Sequence, residues 1–165
     1  MERLCVFAEL HGIVIFTPER IEPPVKTNLL HLYTTTDAGD RVVQEGICLP
    51  ILDIDEGDYT VVIREAREAS YLRTPPLVRS SGWILGTPSG TLAVCGAGYL
   101  SVWNPEHPRI QRLQVTPGWF GVEVRGGRNQ PGTSEEEWVY EVVLTAAKSR
   151  PVFSGNLGQR MSLLP

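Results

Sequence analysis

The sequence predicts an all-β fold: a pseudo-symmetric two-unit β-sandwich of short antiparallel strands with at most one or two short helices. Three observations carry this reading. Apolar residues alternate with period 2 through most of the chain, which is the signature of half-buried strands. Sixteen glycines and thirteen prolines break the chain into short runs, which favours turns over long helices. And "LDIDEGDYTVVIR" (52–64) registers on "LQVTPGWFGVEVR" (113–125) without a gap, 61 residues apart.

The elements follow in order. "LCVFAEL" and "GIVIF" are two apolar runs around His11-Gly12. "TPERIEPPVKT" (17–27) is a proline-rich connector. "LLHLYTTT" (29–36) is rich in strand formers, "DAGD" (37–40) is a turn signal, and "RVVQEGICL" and "DYTVVIRE" read as further strands. "REAREASYL" (64–72) has the composition of one or two helical turns. In the second half "GWILG", "GTLAVCG", "GYLSVW", "RIQRLQV" and "WFGVEVRG" are short strands between Gly, Pro or Asn. "TSEEEWVYEVVLTAAK" (133–148) opens like a capped helix, but Val139, Tyr140, Val142 and Val143 favour strand, and strand is preferred. The tail 148–165 shows no period and is expected to drape over the surface, swap onto a neighbour or stay partly mobile.

The gapless match sets Tyr59, Val61 and Ile63 over Phe120, Val122 and Val124, Gly57 over Gly118, and Arg64 over Arg125. Each triplet lies on one face of a strand, and each glycine sits at a bend where positive φ is cheap. Upstream, "HGIVIF" resembles "SGTLAV", and "ICLPILDI" stands in the place of "RIQRLQV". One domain over 1–165 is therefore expected, built from units at about 9–66 and 88–147 that pack face to face, with a linker at 67–87 and the tail 148–165.

Asp53, Asp55, Glu56 and Asp58 crowd the bend of the first copy. A calcium loop starting at Asp53 would need a ligand at its fifth position and glycine at its sixth. These are Gly57 and Asp58, and the twelfth is Arg64, so the match fails. The second copy makes the same bend with Thr116-Pro117-Gly118-Trp119, so the acids are not needed for the turn. They read either as solvated turn residues or as an acidic docking patch for a protein partner. Trp119 takes the place of Asp58, and with Trp103 it is the candidate stacking platform for a sugar or small ligand, or else folds back over the sandwich edge.

Other chemistry is sparse. Cys5, Cys48 and Cys95 are odd in number and far apart, which suits reduced, buried thiols in a cytoplasmic protein. His11, His31 and His107 are scattered, with His31 read as a core-edge histidine on a strand. There is no G-x-S-x-G and no phosphate-binding loop, so no catalytic residue, metal or cofactor is assigned. The N-terminus lacks the pattern of a signal peptide, and no apolar run is long enough to span a membrane. Net charge is −4, which discourages nucleic-acid binding. It is uneven: 12 acids against 5 bases over 1–66, but 7 against 10 over 67–165.

In "ELHGIVIF", "LDIDEGDYTVVIR" and "WVYEVVLT" the chain resembles the competence nuclease inhibitor (ComJ) family and similar two-unit β proteins. The resemblance implies a cytoplasmic bacterial protein that binds and inhibits a partner, such as a nuclease. The expectation is a non-catalytic inhibitor or immunity-type protein that meets a basic nuclease or toxin through Asp53, Asp55, Glu56 and Asp58, with homodimerisation left open. A carbohydrate- or small-ligand-binding module using Trp119 or Trp103 is the alternative.

Overall fold

A computed structural model describes residues 1–164. The strands are β1 (Glu2–Phe7), β2 (Gly12–Phe16), β3 (Cys48–Leu52), β4 (Asp58–Glu65), β5 (Val78–Thr87), β6 (Thr91–Gly96), β7 (Gln111–Gln114), β8 (Gly118–Asn129) and β9 (Glu137–Ala147). Two seven-residue helices, α1 (Leu29–Thr35) and α2 (Ala38–Gln44), lie between β2 and β3. One sheet has the order β1-β4-β9-β8-β5 and the other β3-β2-β6-β7. The fold is thus mostly β, with two sheets and two short helices.

The two sheets enclose the main core. Tyr59, Val61 and Ile63 of β4 and Phe120, Val122 and Val124 of β8 are all buried in it, as period 2 requires. Gly57 and Gly118 have φ of 156° and 137°, and open space surrounds a Cβ at either, so backbone conformation rather than crowding selects glycine there. The paired triplets do not face each other across the sandwich, however. They belong to the same five-stranded sheet, on either side of β9, which runs parallel to β4 and antiparallel to β8. The expected face-to-face packing of the units is corrected accordingly. Strands β1 to β4 and β5 to β8 each place two strands in each sheet, and of the counterparts β2 and β6 pair directly.

The upstream match is also one residue out. Ile13 and Ile15 of β2 face the main core, as do Leu92 and Val94 of β6, and Ile15 pairs directly with Val94. Aligning the glycines of "HGIVIF" and "SGTLAV" would set Ile13 over Thr91 and swap the faces.

The segment read as strand over 29–36 is α1. Asn28 caps it by accepting the His31 N–H at 2.9 Å, and the Thr34, Thr35 and Thr36 hydroxyls donate to carbonyls four residues back. Leu29, Leu30, Leu32 and Tyr33 form its apolar stripe, packed on the outer face of the four-stranded sheet with Val14, Phe16 and Cys48. Burial of that stripe outweighs the strand propensity of Thr and Tyr. Likewise "DAGD" opens α2 rather than a hairpin turn. Gly39 is needed at this junction, because a Cβ there would lie 1.8 Å from the Tyr33 carbonyl oxygen.

The linker assigned to 67–87 holds β5 in its second half, and 64–72 is not helical. Strand is correct for 137–147. The tail drapes over the sandwich and is anchored to it. Met161 and Leu163 enter the main core, the Tyr140 hydroxyl donates to the Met161 carbonyl at 2.6 Å, and Phe153 packs edge-on against Trp83.

Candidate functional site

The bend before β4 is zipped to the connector between β1 and β2. Ala8 N–H donates to the Gly57 carbonyl at 2.8 Å, Leu10 N–H to Glu56 Oε1 at 2.9 Å, and Ile54 N–H to the His11 carbonyl at 3.3 Å. The Tyr59 hydroxyl closes the corner by donating to the Asp55 carbonyl at 2.8 Å. Leu10, His11 and Asp53 all have positive φ, near 55–59°. A left-handed leucine costs about 1–2 kcal/mol, so tertiary bonds hold this corner in shape.

All four predicted acids are solvent-exposed and lie together on this corner. Their roles differ. Glu56 is committed to the Leu10 N–H, and Asp53 lies 3.6 Å from Arg160 Nε in an exposed ion pair, which is a weak contact. Among the described residues the carboxylates of Asp55 and Asp58 make no hydrogen bond or ion pair. Asp58 sits opposite Phe7 in the β1–β4 ladder, and Phe7, Leu10 and Leu52 are exposed apolar side chains beside the acids. The corner therefore offers free negative charge next to apolar surface, on the exposed edge strand β1.

The two candidate tryptophans differ in burial. Trp103 is only 3% exposed and packs edge-on against Phe16 in the second core, so it cannot stack on a ligand. Trp119 is half-buried. Its ring edge rests on Gly46 and Gly86, and the Arg20 and Arg150 guanidiniums lie 5.3 and 5.9 Å from its ring centroid. Arg20 also donates to the carbonyls of Glu45, Gly46 and Gly86, which ties the arginine over the end of α2. Trp119 is folded back and clamped.

The histidines do not converge. His11 Nδ1 lies 3.2 Å from the Ile54 carbonyl, and His107 packs on Tyr99. His31 is on the exposed face of α1, which corrects its expected place in a strand. Among the described residues no three His, Cys, Asp or Glu side chains are grouped to hold a metal. Burial pushes the Cys48 and Cys95 thiols up to about 12, so neither supplies a thiolate at neutral pH. Cys5, expected to be buried, is exposed on β1.

One polar cluster escaped sequence reasoning. Glu141 of β9 is fully buried and accepts from Arg64 Nη2 at 3.3 Å, Ser70 Oγ at 2.9 Å, Leu72 N–H at 3.1 Å and the Tyr71 N–H. Burial pushes its carboxyl up, but the donors from Leu72, Arg64, Ser70 and Tyr71 prevail and hold it below the usual carboxylate range. This cluster latches the 66–77 segment over the outer face of the five-stranded sheet, where Val62, Leu72 and Val139 form a small third core. The cue was an outward-facing glutamate in a strand otherwise flanked by valines.

No protein-family model matches the chain, and no curated protein matches it. Two solved structures share its architecture. One is ComJ of Bacillus subtilis, described as an inhibitor of the DNA degrading activity of NucA. It superimposes with a TM-score of 0.54 over 89% of this chain and 96% of its own, at 9% identity. The chain has a ComJ-like fold. The other, the crocagin biosynthetic gene J product, gives a TM-score of 0.57 over 87% of this chain and 95% of its own, at 16% identity. The likeness to ComJ is thus one of fold, with strands and sheets conserved in space while nearly all side chains differ. Among the described residues no helix is long and apolar enough to cross a membrane.

Proposed function

We propose that the chain is a non-catalytic binding protein that captures and inhibits a basic protein, of the nuclease or toxin kind, in the cytoplasm. The observation that carries this reading is the corner at 53–58. Asp55 and Asp58 stand exposed and unpaired among the described residues, beside the exposed Phe7 and Leu10. Free carboxylates speed encounter with a basic cleft, and apolar side chains at the centre of a patch supply the affinity. The ComJ-like fold supports the same reading, since the protein of that name inhibits a nuclease. Trp103 is buried and the half-buried Trp119 already has two guanidiniums near its ring, which counts against a carbohydrate-binding role at that edge.

The same proposal takes β1 to β4 and β5 to β8 as structural siblings, with β9 inserted between β4 and β8. The strand orders support it. Each run sends its first and fourth strands to one sheet and its second and third to the other. The units then begin upstream of 9 and 88, at β1 and β5.

The test is Asp53→Lys, Asp55→Lys and Asp58→Lys together, leaving Glu56 because its carboxylate holds the Leu10 N–H. Partners captured from the native host by the wild-type chain are identified, and association is measured at several salt concentrations. The expected result is a slower association with a flatter salt dependence. An unchanged association rate with a confirmed partner overturns the assignment of this corner.

A further inference from the structure

Between the helical hairpin and the outer face of the four-stranded sheet lies a cavity of about 130 Å³. Val14 and Cys48 line it from the sheet, Leu30 and Val42 from the helices, Leu100 from the turn after β6, and Leu157 from the tail. Gly39 fixes the close approach of α2 to the end of α1, the threonine hydroxyls tie α1 to its own carbonyls, and Pro50 stiffens β3. A preformed apolar cavity of this kind is where small ligands bind. A void of about 150 Å³ lined by aliphatic side chains holds one benzene ring, which sets the scale of an occupant here.

The polar groups among the lining residues define its head. Tyr33, Thr34 and Asp40 line the cavity, and no Lys, Arg or His does. The Thr34 hydroxyl spends its proton on the Leu30 carbonyl at 2.7 Å, leaving its oxygen as an acceptor. Neither the Tyr33 hydroxyl nor the Asp40 carboxylate has a hydrogen-bond or ion-pair partner among the described residues. Burial raises the Tyr33 hydroxyl to about 12, and Asp40 is the one carboxylate among the lining residues. Thr34 and Asp40 are solvent-exposed at the rim, where water serves them when no ligand is bound, and a carboxylate-headed ligand meets repulsion there.

We propose that this cavity binds a small amphipathic amine, with a single-ring or short branched apolar body inside and its ammonium on Asp40 and the Thr34 and Tyr33 oxygens. The site uses none of the four acids of the docking corner, so it goes beyond that reading and stands or falls separately.

The test uses the full chain with labelled Leu and Val methyls, and benzylamine, toluene and benzoate as probes. Benzylamine is expected to shift the Leu30, Val42 and Leu100 methyls saturably at one site. Asp40→Asn is expected to weaken benzylamine about five-fold while leaving toluene unchanged, because it removes only the charge. Val42→Phe fills the void and is expected to abolish binding of both. Should that variant unfold, Thr34→Trp at the rim provides the same block. No saturable methyl shift with benzylamine overturns the site. Equal binding of benzoate, or a benzylamine affinity unchanged in Asp40→Asn, overturns the assignment of an amine.

Discussion

Replacing Glu141 by Gln tests whether the buried cluster on β9 holds the outer layer. Gln keeps the volume and one carbonyl oxygen for the Tyr71 and Leu72 N–H groups. It exchanges the other oxygen for an amide NH₂ that faces the Arg64 guanidinium, donor against donor. The Arg64 side chain is 3% exposed and its Nε already lacks a partner, so its charge is left buried and uncompensated. Breaking one side of a buried ion pair costs about 3–5 kcal/mol. For a domain of this size that is a fall in Tm of roughly 6–20 °C. The assay is thermal and urea unfolding across pH, with amide exchange over 66–77. The sign of the pH effect follows from the lowered carboxyl of Glu141. In the wild type its stabilisation is complete above the unfolded carboxyl's pKa and is lost as pH falls through the lower folded value, so the two proteins converge in acid. The double variant Arg64→Met, Glu141→Gln is expected to recover most of the loss, because it removes the uncompensated charge while Gln still accepts from the Tyr71 and Leu72 N–H groups. A cost below about 1 kcal/mol, with unchanged exchange over 66–77, refutes the reasoning.

Other outcomes follow from the same geometry. Of the three thiols, Cys5 is expected to react with a disulfide reagent in the native state while Cys48 and Cys95 react only on unfolding; native reaction of all three contradicts their burial. Gly86→Val places a Cβ 2.5 Å from Trp119 Cζ3, so the indole N–H resonance of Trp119 is expected to move and its emission to shift red. An unchanged indole signal rules out the clamp. Met161→Ala is expected to cost about 2–5 kcal/mol, because the tail residue is buried in the main core; a cost near zero shows that the tail is not part of the folded unit.

How much of this was legible beforehand depends on how local each signal is. The rows led by Tyr59 and Phe120 were readable because burial of alternate residues in a strand is written in period 2. The strand at 137–147 was readable for the same reason. The helices were misread because Thr and Tyr in 29–36 weigh towards strand, while the decisive cues were Asn28 as a cap and the leucines at helical spacing. Exposure was the least legible property. Trp103 and Trp119 both read as candidate platforms in the sequence, yet Phe16 covers one and Arg20 lies over the other, and both partners are distant in the chain. Of the candidate site, the four acids are exposed together as one corner, but sequence could not separate Glu56, which holds a backbone N–H, from Asp55 and Asp58, which do not.

The amino-acid order alone determined the bends at Gly57 and Gly118 and which side chains of β4 and β8 point inward, because glycine conformations and period-2 alternation act over a few residues. Tertiary structure decided which strands become neighbours, that β9 enters between β4 and β8, and that Glu141 is buried while Asp58 is not. Those outcomes depend on hydrogen-bond partners and covering segments tens of residues away, whose geometry no local pattern contains.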